Sequence, residues 1–249
     1  MPTDRRTAEH PVPSVWTRTK RSGRDRPALS QGQIVAAALR LLDEEGLGAL
    51  SMRTLGARLD AGAASLYRHV SNKDELIELV VDEVYGELEI PEPPGPDGWR
   101  PAVVAAAGSL RAMALRHPWV VSVLGQVGLA RLGPNLGRQS ERLLAVFGSA
   151  GLDAAAADLA MSALVAYVTG MATSEVAYQS LREHSGQSEE GWRESLKQAV
   201  EATAEAHPLV VASLRANEAK SPTQLQDDYF RYGLDLMLDG LQQRLTCQN

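Results

Sequence analysis

The chain has 249 residues, a formal net charge of −6, 44% apolar residues and a single cysteine. That length can bury a substantial core in one or two domains, and the acidic balance argues against a protein that coats nucleic acid non-specifically. One cysteine, Cys247, excludes an intrachain disulfide framework and suits a reducing compartment. The charge is unevenly spread: residues 1–85 hold 12 basic and 12 acidic residues, so the whole acidic excess lies beyond them.

Residues 1–29 are rich in Pro, Thr and Arg and lack periodicity, so they read as a disordered basic N-terminal arm. For Arg18 to Arg26 two readings stand side by side: a solubilising tail, or an arm that enters a minor groove. Residues 1–17 read as tail. The charged start is not followed by an apolar run, so no signal peptide is expected. No stretch has the length and apolarity of a membrane span. A cytoplasmic protein without membrane contact is the expectation.

The first helix is expected over about 30–45. Ser30 caps it with Gln33 reaching back, and Ile34, Ala37, Ala38, Leu41 and Leu42 form one apolar stripe. Gly46-Leu47-Gly48 stops it. Ser51 then caps a second helix whose Met52, Leu55 and Leu59 recur at helical spacing. Asp60-Ala61-Gly62 breaks that helix, and a third runs over about 63–70, held by Leu66 and Val70. Ser65, Arg68 and His69 fall on its other side, within reach of base edges. Ala63 and Ala64 keep its leading end slim enough for a major groove. Tyr67 projects sideways, where its phenol can donate to a phosphate. Ser71 is read as the next cap, with Asp74 completing a box and Lys73 favouring a phosphate at the helix start. Spacing alone also fits an ordinary pair of surface helices with a solvated polar face.

The segment LYRHVSNKDELI resembles the signature of the tetracycline-repressor (TetR) family, Leu-Tyr-x-His/Tyr-Phe/Val-x-x-Lys-x-x-Leu. Upstream, ALSQGQIVAAALRLLDEEGLGALSMRTLGARL is similar to that family's first two helices throughout. The resemblance implies an all-α protein: an N-terminal three-helix DNA-binding domain with a helix-turn-helix, then a larger helical domain for ligand binding and dimerisation. It implies that Arg53 contacts base or phosphate, that Ser65 touches backbone or base, and that Tyr67 and Lys73 clamp phosphates. It places His69 near backbone or bases. Arg68 lies where members vary, which makes it the candidate for operator choice. Asp60 departs from the family's usual Gly, although Asp tolerates a left-handed backbone.

A fourth helix is expected over about 72–88, with Leu76, Ile77, Val80, Val81, Val84 and Leu88 inward. In a TetR-like fold it joins reader to body, closing a DNA-binding domain at residues 30–90. The segment PEPPGPDG, residues 91–98, cannot be helical and reads as the linker to a ligand-binding and dimerisation domain at 99–249. Further helices are expected at about 99–116, 118–128, 134–149, 152–183, 190–206, 208–217 and 222–245.

Within that body, Leu159, Leu164, Val168, Met171, Ala172 and Val176, and in the last helix Phe230, Leu234, Met237, Leu238, Leu241 and Leu245, make apolar faces. They can fill an intramolecular core. In TetR-like proteins the corresponding helices pair across a homodimer, which presents two reading helices to a palindromic site. The homodimer is favoured here. HPW at 117–119, GPN at 133–135 and GL at 151–152 resemble the body of the subgroup nearest the tetracycline repressor. The resemblance puts Tyr167 and Glu89 where that repressor has histidines for the metal-chelated drug and the drug itself, so tetracycline–Mg is not the expected effector. His117, Trp119, Tyr167, Met171, Glu175 and Tyr178 are the candidate lining for another small molecule, against the plainer reading that they are core packing.

The five histidines, His10, His69, His117, His184 and His207, lack a second ligand at metal spacing. No phosphate loop or nucleophile elbow occurs. Neither an enzyme, a metal site nor a cofactor is expected. The reading is a DNA-binding transcriptional repressor released from a palindromic double-stranded operator by a small effector. The alternative is a helical regulator whose body binds a protein partner.

Overall fold

The computed structural model describes residues 29–93, 95, 97–124, 133–202 and 206–248. The expected basic arm at residues 1–29 falls, apart from Leu29, outside them, as does the second half of the helix expected at 118–128. Among the described residues every regular element is helical. The chain divides into two compact units, Met1–Leu88 with Ser122–Glu141, and Glu89–Val121 with Arg142–Asn249.

The first unit begins with α1 (Gln31–Glu45). The Gln33 amide donates to Ser30 Oγ at 3.2 Å and the Ser30 amide donates to Gln33 Oε1 at 2.8 Å, so two orphan donors are satisfied reciprocally. Ile34, Ala38 and Leu41 are fully buried. A 3₁₀ turn at Leu47–Ala49 leads to α2 (Met52–Arg58), capped by Ser51 Oγ accepting from the Thr54 amide at 3.0 Å. Next come α3 (Ala63–Tyr67) and α4 (Lys73–Tyr85).

Two local expectations need correcting. The third helix closes at Tyr67, not near Val70, because the Leu66 carbonyl accepts from both His69 and Val70 and the last turn tightens. Arg68 is therefore its cap and His69 lies beyond it. The cap of α4 is Asn72, not Ser71: Asn72 Oδ1 accepts from the Glu75 amide at 2.8 Å, and the Ser71 amide donates to Glu75 Oε2 at 2.9 Å. An amide oxygen one residue later reaches the amide of the third helical residue, Glu75, better than the Ser71 hydroxyl.

Burial pushes the Tyr85 phenol up to about 12. Below pH 10 both folded and unfolded chains keep the proton. Above 10 the unfolded chain loses it first, so stability falls as pH rises through 10 to about 12. Tyr85→Phe removes this contribution, on the order of 2–3 kcal/mol. Denaturant melts at pH 9 and pH 12 should differ less in the variant than in the parent; equal differences would contradict the assignment.

In the second unit, α5 (Trp99–Arg116) and the 3₁₀ turn Pro118–Ser122 precede α6 (Pro134–Ser149), an unbroken helix whose first part, through Glu141, belongs to the first unit. Then follow α7 (Ala154–Ser185), α8 (Glu189–Glu201), α9 (Pro208–Ala216) and α10 (Pro222–Gln248). Helix α8 stops at Glu201, short of the expected end near 206, and residues 203–205 lie outside the description.

Contrary to the sequence expectation, α7 is long and apolar enough to cross a membrane by length and composition. Part of that apolarity is used inward: Ala157, Met161, Leu164, Val168 and Ala172 are buried, and α7 packs along α5 and against α10. The partner-seeking stripe also needs revision. Leu164, Val168, Phe230, Leu234, Leu238 and Leu245 are buried within the protomer. What α7 exposes is a different line: Leu159, Ala163, Ala166, Gly170, Ser174, Ala177 and Leu181, spaced by three and four.

Candidate nucleic-acid interface and effector cleft

The reading head is built on three fully buried anchors, Leu55, Leu66 and Val70. With these inward, α2 exposes Arg53, and α3 with its cap exposes Ala63, Ala64, Tyr67 and Arg68. Ser65, His69 and Lys73 are half-buried. The two helices meet closely at the turn: a Cβ on Gly56 would stand 2.7 Å from the Ala61 carbonyl oxygen, so only glycine fits. Asp60 adopts φ 48, the left-handed backbone its family departure required.

Arg68 Nη2 donates to Ser65 Oγ at 2.9 Å, which orients the guanidinium along the helix face. Lys73 Nζ donates to the Leu47 carbonyl at 3.3 Å, tying the start of α4 to the 3₁₀ turn. Arg58, not singled out from the sequence, is committed elsewhere. Its Nη1 lies 2.6 Å from Glu44 and its Nη2 2.5 Å from Glu45, and these carboxylates raise its pKa. Besides Arg58, the exposed cations on α2 and on α3 with its cap are Arg53 and Arg68, with Lys73 half-buried at the start of α4 and Tyr67 half exposed; Arg40 on α1 is exposed as well.

In the body, α5, α7 and α10 enclose a cleft of about 310 Å³. Glu175 and Tyr178 line it, joined by Arg111, Gln179, Arg182 and Asp227. The remaining sequence candidates lie elsewhere. His117 and Trp119 are 4% and 5% exposed, their rings edge-on with centroids 6.4 Å apart. Met171 is half-buried and borders none of the described clefts. Tyr167 donates its hydroxyl to the Phe230 carbonyl at 2.8 Å, and its ring stacks on Phe230 at 5.9 Å.

Arg111 is the residue the sequence reading missed. Its Nε donates to Glu175 Oε1 at 2.8 Å, its Nη1 to Asp227 Oδ1 at 2.7 Å, and its guanidinium lies 4.8 Å over the Phe230 ring. Burial lowers the Arg111 pKa, and the bonds from Glu175 and Asp227 more than offset this, leaving it above the ordinary value. An Arg set among the small residues of α5 was the available signal; its partners, far along the chain, were not legible. Among the described residues no cluster of three or more His, Cys, Asp or Glu could hold a metal.

A helix pair with an exposed, partly cationic second helix, followed by a larger helical body, defines a helix-turn-helix regulator. Comparison with known proteins agrees. The family described as "Bacterial regulatory proteins, tetR family" matches residues 34–80, and "Tetracyclin repressor-like, C-terminal domain" matches residues 90–245. An "HTH-type transcriptional regulator" of Saccharopolyspora erythraea is 36% identical over 211 residues, 85% of this chain and 86% of that protein. The "HTH-type transcriptional repressor DrrR1" of Streptomyces coeruleorubidus is 34% identical over 232 residues, 92% of this chain and 83% of that protein. The crystal structure of ActR, a TetR family protein of Streptomyces coelicolor, in complex with actinorhodin superposes with a TM-score of 0.71 at 35% identity, covering 86% of this chain and 95% of that one. The chain belongs to the TetR family of transcriptional regulators.

Proposed function

We propose that the chain is a homodimeric repressor whose α3 helices read the two halves of a palindromic operator, and which a small organic effector releases from DNA. The carrying observation is the side-chain arrangement on the head, with Arg53, Tyr67 and Arg68 exposed around a helix fixed by buried Leu66. Arg53, Tyr67 and Lys73 hold phosphates; Ser65, Arg68 and His69 face base edges, with Ala63 and Ala64 allowing close entry. Acting on DNA, it works in the cytoplasm and calls for no catalytic group.

The small-residue line on α7, ended by Leu159 and Leu181, and the exposed Tyr229, Tyr232 and Leu236 of α10 support a dimer seam. The cleft beside Arg111 and Glu175 is the proposed effector site, supported by its mixed apolar and charged lining. His117, Trp119, Tyr167 and Met171 then stand outside it, as packing of the body. The ActR complex with actinorhodin supports an organic effector. Tyr167 spends its hydroxyl on a backbone carbonyl, which argues against a metal–drug chelate at that position.

Arg68→Ala tests the reading directly. Binding to a panel of palindromes should change in base preference at one or two positions per half-site, each by about 1–3 kcal/mol of discrimination. A uniform loss across all sequences would instead make Arg68 a backbone contact.

A further inference from the structure

The cleft beside Arg111 and Glu175 does not end at Tyr178. A second cleft, of about 300 Å³, opens between α8, α9 and the start of α10. Tyr178, Pro222 and Gln226 line both, so the two are neighbouring compartments that share a wall, within one unit of the chain. Leu196, Leu214 and Leu225 supply apolar lining to the second.

The cations that line these compartments differ in their partners. Arg111 stands between Glu175 and Asp227. Arg182 lies 3.3 Å from Glu189, Arg215 3.9 Å from Glu201 and Lys220 2.7 Å from Asp228, and Lys197 is paired with Glu218. Arg193 has no carboxylate at ion-pair distance among the described residues. Its Nη2 donates to the Glu218 carbonyl oxygen at 2.9 Å, while the Glu218 carboxylate goes to Lys197. That bond uses one of the five donors a guanidinium carries. Glu190 and Glu194 also line the second cleft, but both are exposed, where water and salt screen them. Arg193 is half-buried, so an anion beside it meets a less screened charge. A guanidinium held by a neutral carbonyl at the wall of a partly apolar cavity is a seat for an acidic group.

We propose that the two compartments form one effector site for an elongated apolar molecule with a single acidic group. Its body lies along Tyr178, from one compartment into the other, and its acid bonds to Arg193. This ligand class rests on the effector role proposed above for the first cleft. One unpaired guanidinium beside three leucines suits a carboxylate; a polyphosphate would call for several such cations.

The test uses the full-length protein and two rod-shaped fluorescent probes of matched size, anthracene-2-carboxylate and the uncharged anthracene-2-carboxamide, titrated at pH 7. The parent should bind the carboxylate about tenfold more tightly than the amide. Arg193→Gln should remove that preference, weakening the carboxylate about tenfold and leaving the amide within roughly twofold. Arg193→Lys keeps the charge without the fork and should retain part of the preference. Ala112→Phe, at an exposed position that lines only the first compartment, should weaken both probes by a similar factor. Equal affinity of the parent for both probes, or an unchanged preference in Arg193→Gln, would overturn the acidic seat and leave the first cleft standing. Loss of both probes in Arg193→Gln would mark Arg193 as structural and overturn the seat as well. Unaltered binding of both probes by Ala112→Phe would overturn the bridging of the compartments. Binding of neither probe by the parent would overturn the effector cleft, and the ligand class with it.

Discussion

Arg111→Met is expected to destabilise the body by about 3–5 kcal/mol, the cost of leaving a buried carboxylate without its cation. Glu175 is 3% exposed and Arg111 stands between it and Asp227. Removing the guanidinium also removes the cation over Phe230, which holds α10 against α5. The double variant Arg111→Met with Glu175→Leu removes both charges and should recover most of the loss, because a well-packed apolar pair of similar volume often matches a buried ion pair. Urea midpoints at pH 7 read both. A single-variant loss below about 1 kcal/mol would mean that water reaches Glu175 and that the pair is not a structural clasp.

Tyr67→Phe combined with Lys73→Ala is expected to weaken operator binding on the order of 100-fold at moderate salt, about 3 kcal/mol. The loss should be similar for every sequence, because phosphates carry no sequence information. Lys73 is the charged member, so the slope of log affinity against log salt should fall by about one unit per protomer. Lys73 also donates to the Leu47 carbonyl. A thermal melt of the variant therefore belongs beside the binding curve, to separate lost phosphate contact from a loosened α4. Unchanged binding with an unchanged melt would show that DNA does not approach this edge of the head.

The head was more legible from sequence than the body, for physical reasons. Its elements are short and their caps lie within three residues, so Ser30, Ser51 and the Leu55–Leu66–Val70 anchors follow from local spacing. The errors there were also local: α3 is shorter because one carbonyl takes two donors, and Asn72 displaces Ser71 as cap. In the body the periodicity of α7 and α10 was visible, but not which stripe faces inward. Leu164, Val168 and Leu234 turned to the protomer's own core, and Ala166, Gly170 and Ser174 outward. The Arg111–Glu175 pair spans 64 positions and the Asp82–Leu136 bond spans 54. No window of helical periodicity reaches that far. Tyr167 and Trp119 looked like ligand groups because aromatic residues suit both a pocket and a core. The direction of the Tyr167 hydroxyl, toward the Phe230 carbonyl, was not written in its neighbours.

Selection of bound duplexes from a random DNA pool with the purified protein, at about 150 mM salt, tests the central claim most directly. A regulator of this kind should enrich a palindrome bound by two protomers, with half-sites separated by about one helical turn or a multiple of it. An enriched non-palindromic site bound by a single protomer, or no enrichment above the starting pool, would contradict it.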